Sequence, residues 1–337
     1  GPYINLFEKK IKKLTKSKYV IATINGTSAL HIALKLAGVS KNDEVLIPSL
    51  NFIASTNATL YCGGIPHFID IEETTLGVDI KKLDDYLMNN TRKVKGRCIN
   101  KKTNRMIKAI VPTHLFGHPV NMKQLSIVSK KYNLKIIEDA AEGIGSFFMG
   151  KHVGTFGECG ILSFNGNKSI TTGGGGAILT KSKKLSEKAR HLISVSKINS
   201  KYDLLHDQVG FNYKMTNLHA AIGCAQLEKF RKLLLNKRKL FKAYLKEFSK
   251  IKDISLLQEP KNSRSNYWLN TILIKEEKKY LRDSIIKLGK KKSIGLRPVW
   301  KPLPELTFLK SYPKMNISKT KKIFKRIINI PSSSYLI

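Results

Sequence analysis

Apolar and polar positions along this chain fall into two alternating rhythms. From Tyr19 onward, short apolar runs of strand length alternate with stretches in which apolar residues recur at helical spacing. The series reads YVIATI, SALHIALKLAG, EVLIPS, FIASTNATLYCG, PHFIDI, a charged helical stretch, KAIVPTH, another helix and KIIEDA. Strand–helix alternation of this kind predicts an α/β fold, with a mostly parallel sheet covered on both faces. After GILSF and AILT the pattern changes. Residues 215–250 read as a long helix with an interruption near Asn236, and residues 251–337 as a smaller α+β region with a strand in NYWLNTILI and a helix in KYLRDSIIKLG. The pattern therefore divides into a large domain over 1–235 and a small one over 236–337. The chain opens without an initiator methionine, directly into a helical pattern, so upstream residues are expected.

The 337 residues are 42% hydrophobic and 25% charged, an ordinary globular composition. No apolar run is long enough to span a membrane, and no signal-peptide core follows the N-terminus, so no membrane partner and a cytoplasmic location are expected. Cys62, Cys98, Cys159 and Cys224 are far apart and read as buried thiols, neither zinc ligands nor a disulfide framework. The net charge of +37 invites a nucleic-acid reading. Against it, lysine outnumbers arginine about five to one and is spread along the whole chain. The basic clusters at 9–18, 290–292 and 319–326 sit in or beside helical patterns, two of them interleaved with isoleucine and leucine, as on solvated helix faces. Together with abundant Ile and Asn they read as compositional bias. No nucleic-acid partner is expected, although a positive field draws in an anionic substrate.

Four segments carry candidate chemistry. In Asn25-Gly26-Thr27-Ser28 a strand turns into a helix; the plain reading is a turn capped by Thr or Ser, the functional one a phosphate on the free N–H groups of the helix start. Asp139 ends an apolar strand in KIIEDAAEGIGS, where a carboxylate either caps the next turn or faces a ligand in the crevice of an open sheet. In GILSFNGNKSITTGGGGAILT, Lys168 stands in a polar loop after a strand, with Ser163 five residues before it and Gly173 to Gly176 soon after; glycine runs permit tight turns and close backbone approach. The loop is not a P-loop, because no G-K-[ST] closes it. In VGFNYKMTNLHAAIG, Asn212 lies between Phe211 and Tyr213 at the entry to an apolar helix. His114 and His118 in HLFGH are four apart, but Gly117 and Pro119 break any helix there, so loop packing is expected and no metal site. Trp268 reads as small-domain core.

These segments, in this order and with VLIPSLNFIASTNATLYCGGIPHFIDI, VPTHLFGHPVNM and GLRPVWKPL, resemble the DegT/DnrJ/EryC1/StrS family of pyridoxal-phosphate-dependent nucleotide-sugar aminotransferases over nearly the whole chain. The wording FNGNK, TTGGGG and RPVWKP is most similar to members that aminate C4 of a UDP-linked 4-keto-6-deoxy-N-acetylhexosamine on the way to bacillosamine or legionaminic acid. The resemblance implies the aspartate-aminotransferase-like fold type I, with a mostly parallel mixed sheet in the large domain and a smaller C-terminal α+β domain. It implies pyridoxal 5'-phosphate as cofactor, glutamate as amino donor, and a homodimer with shared active sites. Lys168 matches the lysine that forms the internal aldimine and shuttles the proton. Asp139 matches the carboxylate paired with the pyridine nitrogen. Gly26, Thr27, Ser28 and Ser163 match the phosphate-binding positions, and Asn212 an asparagine reaching that phosphate from the neighbouring subunit. Phe52 matches the aromatic residue stacked on the ring. Glu142 stands where many relatives carry Gln or His beside the phenolic oxygen. Arg297, Trp300 and Lys301 match a loop that approaches the nucleotide-sugar site, again across the dimer. The family's N-terminal arm has no counterpart before Gly1.

Two other readings compete with amino transfer. A sugar dehydratase on the same fold replaces the anchoring lysine with histidine, against which Lys168 speaks. A basic nucleic-acid-binding or regulatory protein that retains the fold would gather its lysines on one face.

Overall fold

A computed structural model describes residues 1–200 and 202–337. Its large sheet contains β1 (Tyr19–Thr23), β2 (Glu44–Pro48), β3 (Ile65–Ile69), β4 (Ile107–Ile110), β5 (Lys135–Asp139), β6 (Cys159–Ser163) and β7 (Gly176–Thr180). Their spatial order is β1-β7-β6-β5-β4-β2-β3. Strands β2 to β6 pair in parallel, whereas β7 runs antiparallel to both β6 and β1.

The helices are α1 (Pro2–Thr15), α2 (Gly26–Leu36), α3 (Ala54–Tyr61), α4 (Ile80–Asn90), α5 (Met122–Lys131), α6 (Lys183–Ile193), α7 (Asn217–Phe248), α8 (Leu281–Lys291) and α9 (Ser318–Phe324). Successive strand residues point to opposite faces of the sheet, so Ile21, Ile161 and Ile178 pack under α2, α3 and α6. Their neighbours Val20, Leu162, Ala177 and Leu179 pack against α1 and α7. Further along that second face, Leu46, Ile69, Ile110 and Ile136 meet α4 and α5. Coverage on both faces explains why these strands read as unbroken apolar runs.

The C-terminal part adds an antiparallel sheet of β8 (Ile254–Leu256), β9 (Asn270–Ile274), β10 (Arg297–Pro298) and β11 (Ile327–Ile330), in the order β8-β9-β11-β10. The expected break near Asn236 is absent: α7 runs unbroken through 32 residues. An asparagine lowers helix propensity only slightly where neither Pro nor a competing local bond stops the backbone. The Asn236 side chain instead donates to the carbonyls of Ser334 and Ile337. The helix thus crosses the expected junction at 235, its first half packing on the large sheet through Ala220, Cys224 and Phe230 and its second on the small one through Phe241.

Candidate active site

The carboxyl ends of β1, β2, β4, β5 and β6 open onto one cavity of about 360 Å³, the crevice position expected for an open α/β sheet. Gly26, Thr27, Phe52, Asp139, Glu142, Ser163, Lys168 and Trp300 line it together. Residues from 25 to 300 in the chain thus converge on one chamber.

At its floor, β5 carries Asp139 to the cavity and fixes it by backbone pairing. Its N–H donates to Pro112 O (2.9 Å) and its carbonyl accepts from His114 N–H (3.0 Å). Among the described residues the carboxylate accepts only from Ser55 Oγ (2.8 Å) and the Ala141 N–H (3.2 Å). Burial pushes its pKa above the ordinary carboxylate range, and neither these bonds nor the charge of Lys168 brings it back. A protonated ring nitrogen facing Asp139 would supply the missing positive charge.

The turn from β1 into α2 is capped by Asn25, not by Thr27 or Ser28. Asn25 adopts extended backbone and its side-chain oxygen accepts the Ser28 N–H at 2.7 Å. That bond corrects one expectation: Ser28 is buried in the first turn with its N–H already satisfied, and it does not line the cavity. Gly26 and Thr27 do. A Cβ on Gly26 would sit 2.9 Å from Ser163 Cβ, so the helix start and the end of β6 meet only because residue 26 is glycine. A Cβ on Gly176 would lie 2.5 Å from the Asn25 backbone, which gives the glycine run its reason. The result is a close-walled cradle at a helix N-terminus, with hydroxyls from Thr27 and Ser163 alongside, which fits a phosphate. With Asp139 at the other end of the chamber, these residues fit pyridoxal 5'-phosphate.

Between the two ends lies Lys168. Its Nζ is 3.3 Å from Glu142 Oε1 and 4.0 Å from the centre of the Trp268 ring, a cation–π contact. The other Glu142 oxygen accepts the Phe116 N–H at 2.8 Å. Burial, more than any nearby charge, raises the Glu142 pKa, so here too the charged form is under-compensated despite the lysine. Phe52, half exposed, tilts against Trp300 at 5.8 Å between ring centres and forms the outer rim.

Other expected residues lie elsewhere. Asn212 is exposed and outside its own chain's cavity. Arg297 is exposed and lines a neighbouring groove instead, and Lys301 is exposed beside Trp300 without lining the chamber. A two-residue strand at 297–298 turns these cations outward while Val299 enters the core. His114 and His118 are both buried. His114 Nδ1 accepts the Val120 N–H, so Nε2 carries the proton and donates it to Glu138 at 3.1 Å. His118 meets Ser265 Oγ at 2.9 Å, and burial lowers its pKa to about 4.

Several residues escape the sequence reading. Ser55, one turn beyond Phe52, holds Asp139; Asn51 donates to Thr113 Oγ1 (2.9 Å), and Asn51 and Thr113 line the cavity. Trp268 is buried as expected, yet it is also a wall of the chamber. Its indole N–H donates to Asn167 O at 2.9 Å, tying the small domain to the lysine loop. Their signal was proximity in sequence to Phe52 for Asn51 and Ser55; Trp268 and Thr113 offered none.

A model of the DegT/DnrJ/EryC1/StrS aminotransferase family matches residues 1–336. Among curated relatives, a GDP-perosamine synthase of Escherichia coli O157:H7 is 36% identical over 98% of this chain and 85% of its own length. A UDP-4-amino-4,6-dideoxy-N-acetyl-beta-L-altrosamine transaminase of Campylobacter jejuni is 30% identical over 98% and 85%. Among solved structures, an aminotransferase of the same family from Brucella abortus superposes with a TM-score of 0.90 at 25% identity, over all of this chain and 87% of that one.

Proposed function

The chain belongs to the DegT/DnrJ/EryC1/StrS family of pyridoxal-phosphate-dependent aminotransferases, and from that premise we propose that it moves an amino group from glutamate to C4 of a 4-keto-6-deoxy sugar linked to a nucleoside diphosphate. The observation that carries this reading is the convergence of Lys168, Asp139 and the Gly26–Ser163 cradle on one chamber.

Bound pyridoxal phosphate supplies an electron sink for the charge left on carbon when a proton departs. Asp139 keeps the ring nitrogen protonated through a charge-assisted bond, and its own unfavourable burial is relieved by that partner. Thr27 and Ser163 hold the phosphate, while Phe52 covers the ring. Lys168 would anchor the cofactor and, as a free amine, would take up and return the proton at the substrate carbon that bears the nitrogen. Glu142 faces Lys168 at 3.3 Å and can hold the proton that this lysine must lose before it acts as a nucleophile. A carboxyl so protonated presents a donor, and no negative charge, to a neighbouring phenolic oxygen.

Two carriers are in play for the sugar. The UDP-linked N-acetylhexosamine reading rests on the FNGNK and RPVWKP wording and on the 30% identical Campylobacter transaminase. A GDP-linked acceptor is favoured by three GDP-perosamine synthases at 33–36% identity. The site is completed by a second copy of the chain. Asn212 lies beyond the antiparallel pair of Lys197–Asn199 with Leu204–His206, where Ile198, Leu204 and Leu205, with Val209 just after them, expose apolar surface suited to an interface.

Purified protein should show a visible absorption band with added pyridoxal phosphate, and Lys168→Ala should remove it; a colourless wild-type protein overturns the reading. Amine transfer from glutamate over a panel of UDP-, GDP- and dTDP-linked 4-keto sugars then identifies the carrier, and loss of water without gain of nitrogen would make the enzyme a dehydratase.

A further inference from the structure

One buried cation outside the catalytic chamber holds its aromatic wall from behind. Lys237, in the middle of α7, buries its side chain, and its Nζ donates to the carbonyl oxygens of Trp268 (3.0 Å) and Ser332 (2.7 Å). Neither acceptor is a carboxylate. Two peptide dipoles stand in for a counter-ion, and burial lowers the ammonium pKa to about 8. An apolar side chain would fill such a position without the desolvation cost of a charge, so the ammonium calls for a role.

Its partner is no ordinary core residue. The Trp268 N–H donates to Asn266 Oδ1 (2.8 Å), its indole N–H to Asn167 O, and its ring faces Lys168 Nζ at 4.0 Å. Between Asn266 and Trp268, the buried Tyr267 takes a left-handed φ of 49°, a backbone state that a bulky residue holds only when its surroundings enforce it. Lys237 supplies part of that enforcement, and contiguous contacts run from its ammonium through Trp268 to the lysine of the site. Lys168 and Arg297 share with Lys237 the wall of a groove of about 640 Å³. Arg238, next on the helix, is committed to Glu259.

We propose that Lys237 is a positioning residue of the amino-transfer site, its ammonium gripping the Trp268 carbonyl and so fixing the indole against Lys168. Only the activity part of this inference rests on the function proposed above.

The decisive experiment follows Trp268 emission in cofactor-free protein carrying Trp300→Phe, titrated from about pH 6 to about pH 10. The parent should show a step near the pH at which the buried ammonium loses its proton. Lys237→Arg, which keeps its charge throughout, should show no step and retain the neutral-pH emission. Lys237→Met should give the high-pH emission at every pH. No step in the parent, or a step surviving in either variant, overturns the inference. In the loaded enzyme, Lys237→Met should lower kcat ~10-fold with KM for the sugar changed less than about twofold, and Lys237→Arg should recover most of it; equal rates in all three proteins would also overturn it. Protein that takes up no cofactor yet keeps the emission step sinks the amino-transfer reading alone.

Discussion

Glu138 and Asp139 are neighbours on one strand, both buried, and they point to opposite faces of the sheet into opposite electrostatic situations. Glu138 accepts the N–H groups of Gly154 (2.7 Å), Phe156 (2.6 Å) and Gly157 (2.7 Å) as well as the His114 ring. Burial pushes its pKa up, but the bonds from His114 and the loop amides outweigh this and hold it below the ordinary range. Asp139 has two donors and ends above its ordinary range because burial wins. A carboxylate whose bonds are complete inside the chain holds structure together, as Glu138 ties the 154–157 loop to the sheet. A carboxylate left short of positive charge in a cavity is arranged for a ligand to complete.

The largest effect that would break this contrast lies on the cavity side. Asp139→Asn should fold and keep the Lys168-dependent absorption band while kcat for amine transfer falls on the order of 10²–10³-fold, the scale of losing one preorganised electrostatic group. A rate near wild type would mean that Asp139 is merely a cap.

On the opposite side, Glu138→Gln should cost about 3 kcal/mol of stability in denaturant unfolding, because one oxygen is replaced by an NH₂ that cannot accept the loop amides. The folded fraction should still take up cofactor. A stable variant with normal unfolding would remove the structural half of the contrast.

A pH series sharpens the comparison further. Asp139 and Glu142 have raised pKa values in the folded, cofactor-free protein. The folded state therefore binds more protons than the unfolded one between the ordinary carboxylate range, about 4, and their raised values. Their contribution to stability is fully present below that range and is lost as pH rises through the raised values. Glu138, with a lowered value, contributes in the other direction: its part is present above the ordinary range and lost as pH falls through its folded value. The double variant Asp139→Asn, Glu142→Gln should consequently unfold at higher temperature than wild type at neutral pH, with the difference shrinking toward pH 4. A difference independent of pH would contradict the assignment.

The smallest expected change is at the wall. Trp268→Phe retains an aromatic face but loses the indole donor to Asn167, so kcat should fall about 2- to 5-fold, the worth of a weakened cation–π contact and one part-buried hydrogen bond. A loss as large as that of Asp139→Asn would move Trp268 from supporting wall to primary machinery.

Much of the floor of the site was legible along the chain. Thr27, Asp139, Ser163 and Lys168 follow strand ends, and parallel strands deliver their carboxyl ends to one edge, so local pattern and sheet geometry together bring them to one place. The N-cap is not legible in the sequence, because Asn25, Thr27 and Ser28 are all competent caps and only the backbone at Asn25 selects among them. The continuity of α7 through Asn236 is not legible either, because nothing in its immediate neighbours reveals that its side chain bonds Ser334 and Ile337 about a hundred residues on.

By itself, then, the sequence determined the alternation that builds the large sheet, the glycines that let the cradle close, and the types of side chain available for the chemistry, since all depend on interactions between near neighbours. The tertiary structure alone decided which of those side chains are left short of partners: whether a carboxylate faces three amides or an open chamber, whether Trp268 is core or wall, and which lysine among 61 basic residues is buried against a carbonyl. Those outcomes depend on burial and on contacts between distant segments, which set the local dielectric and the supply of donors, and neither is encoded at any single position.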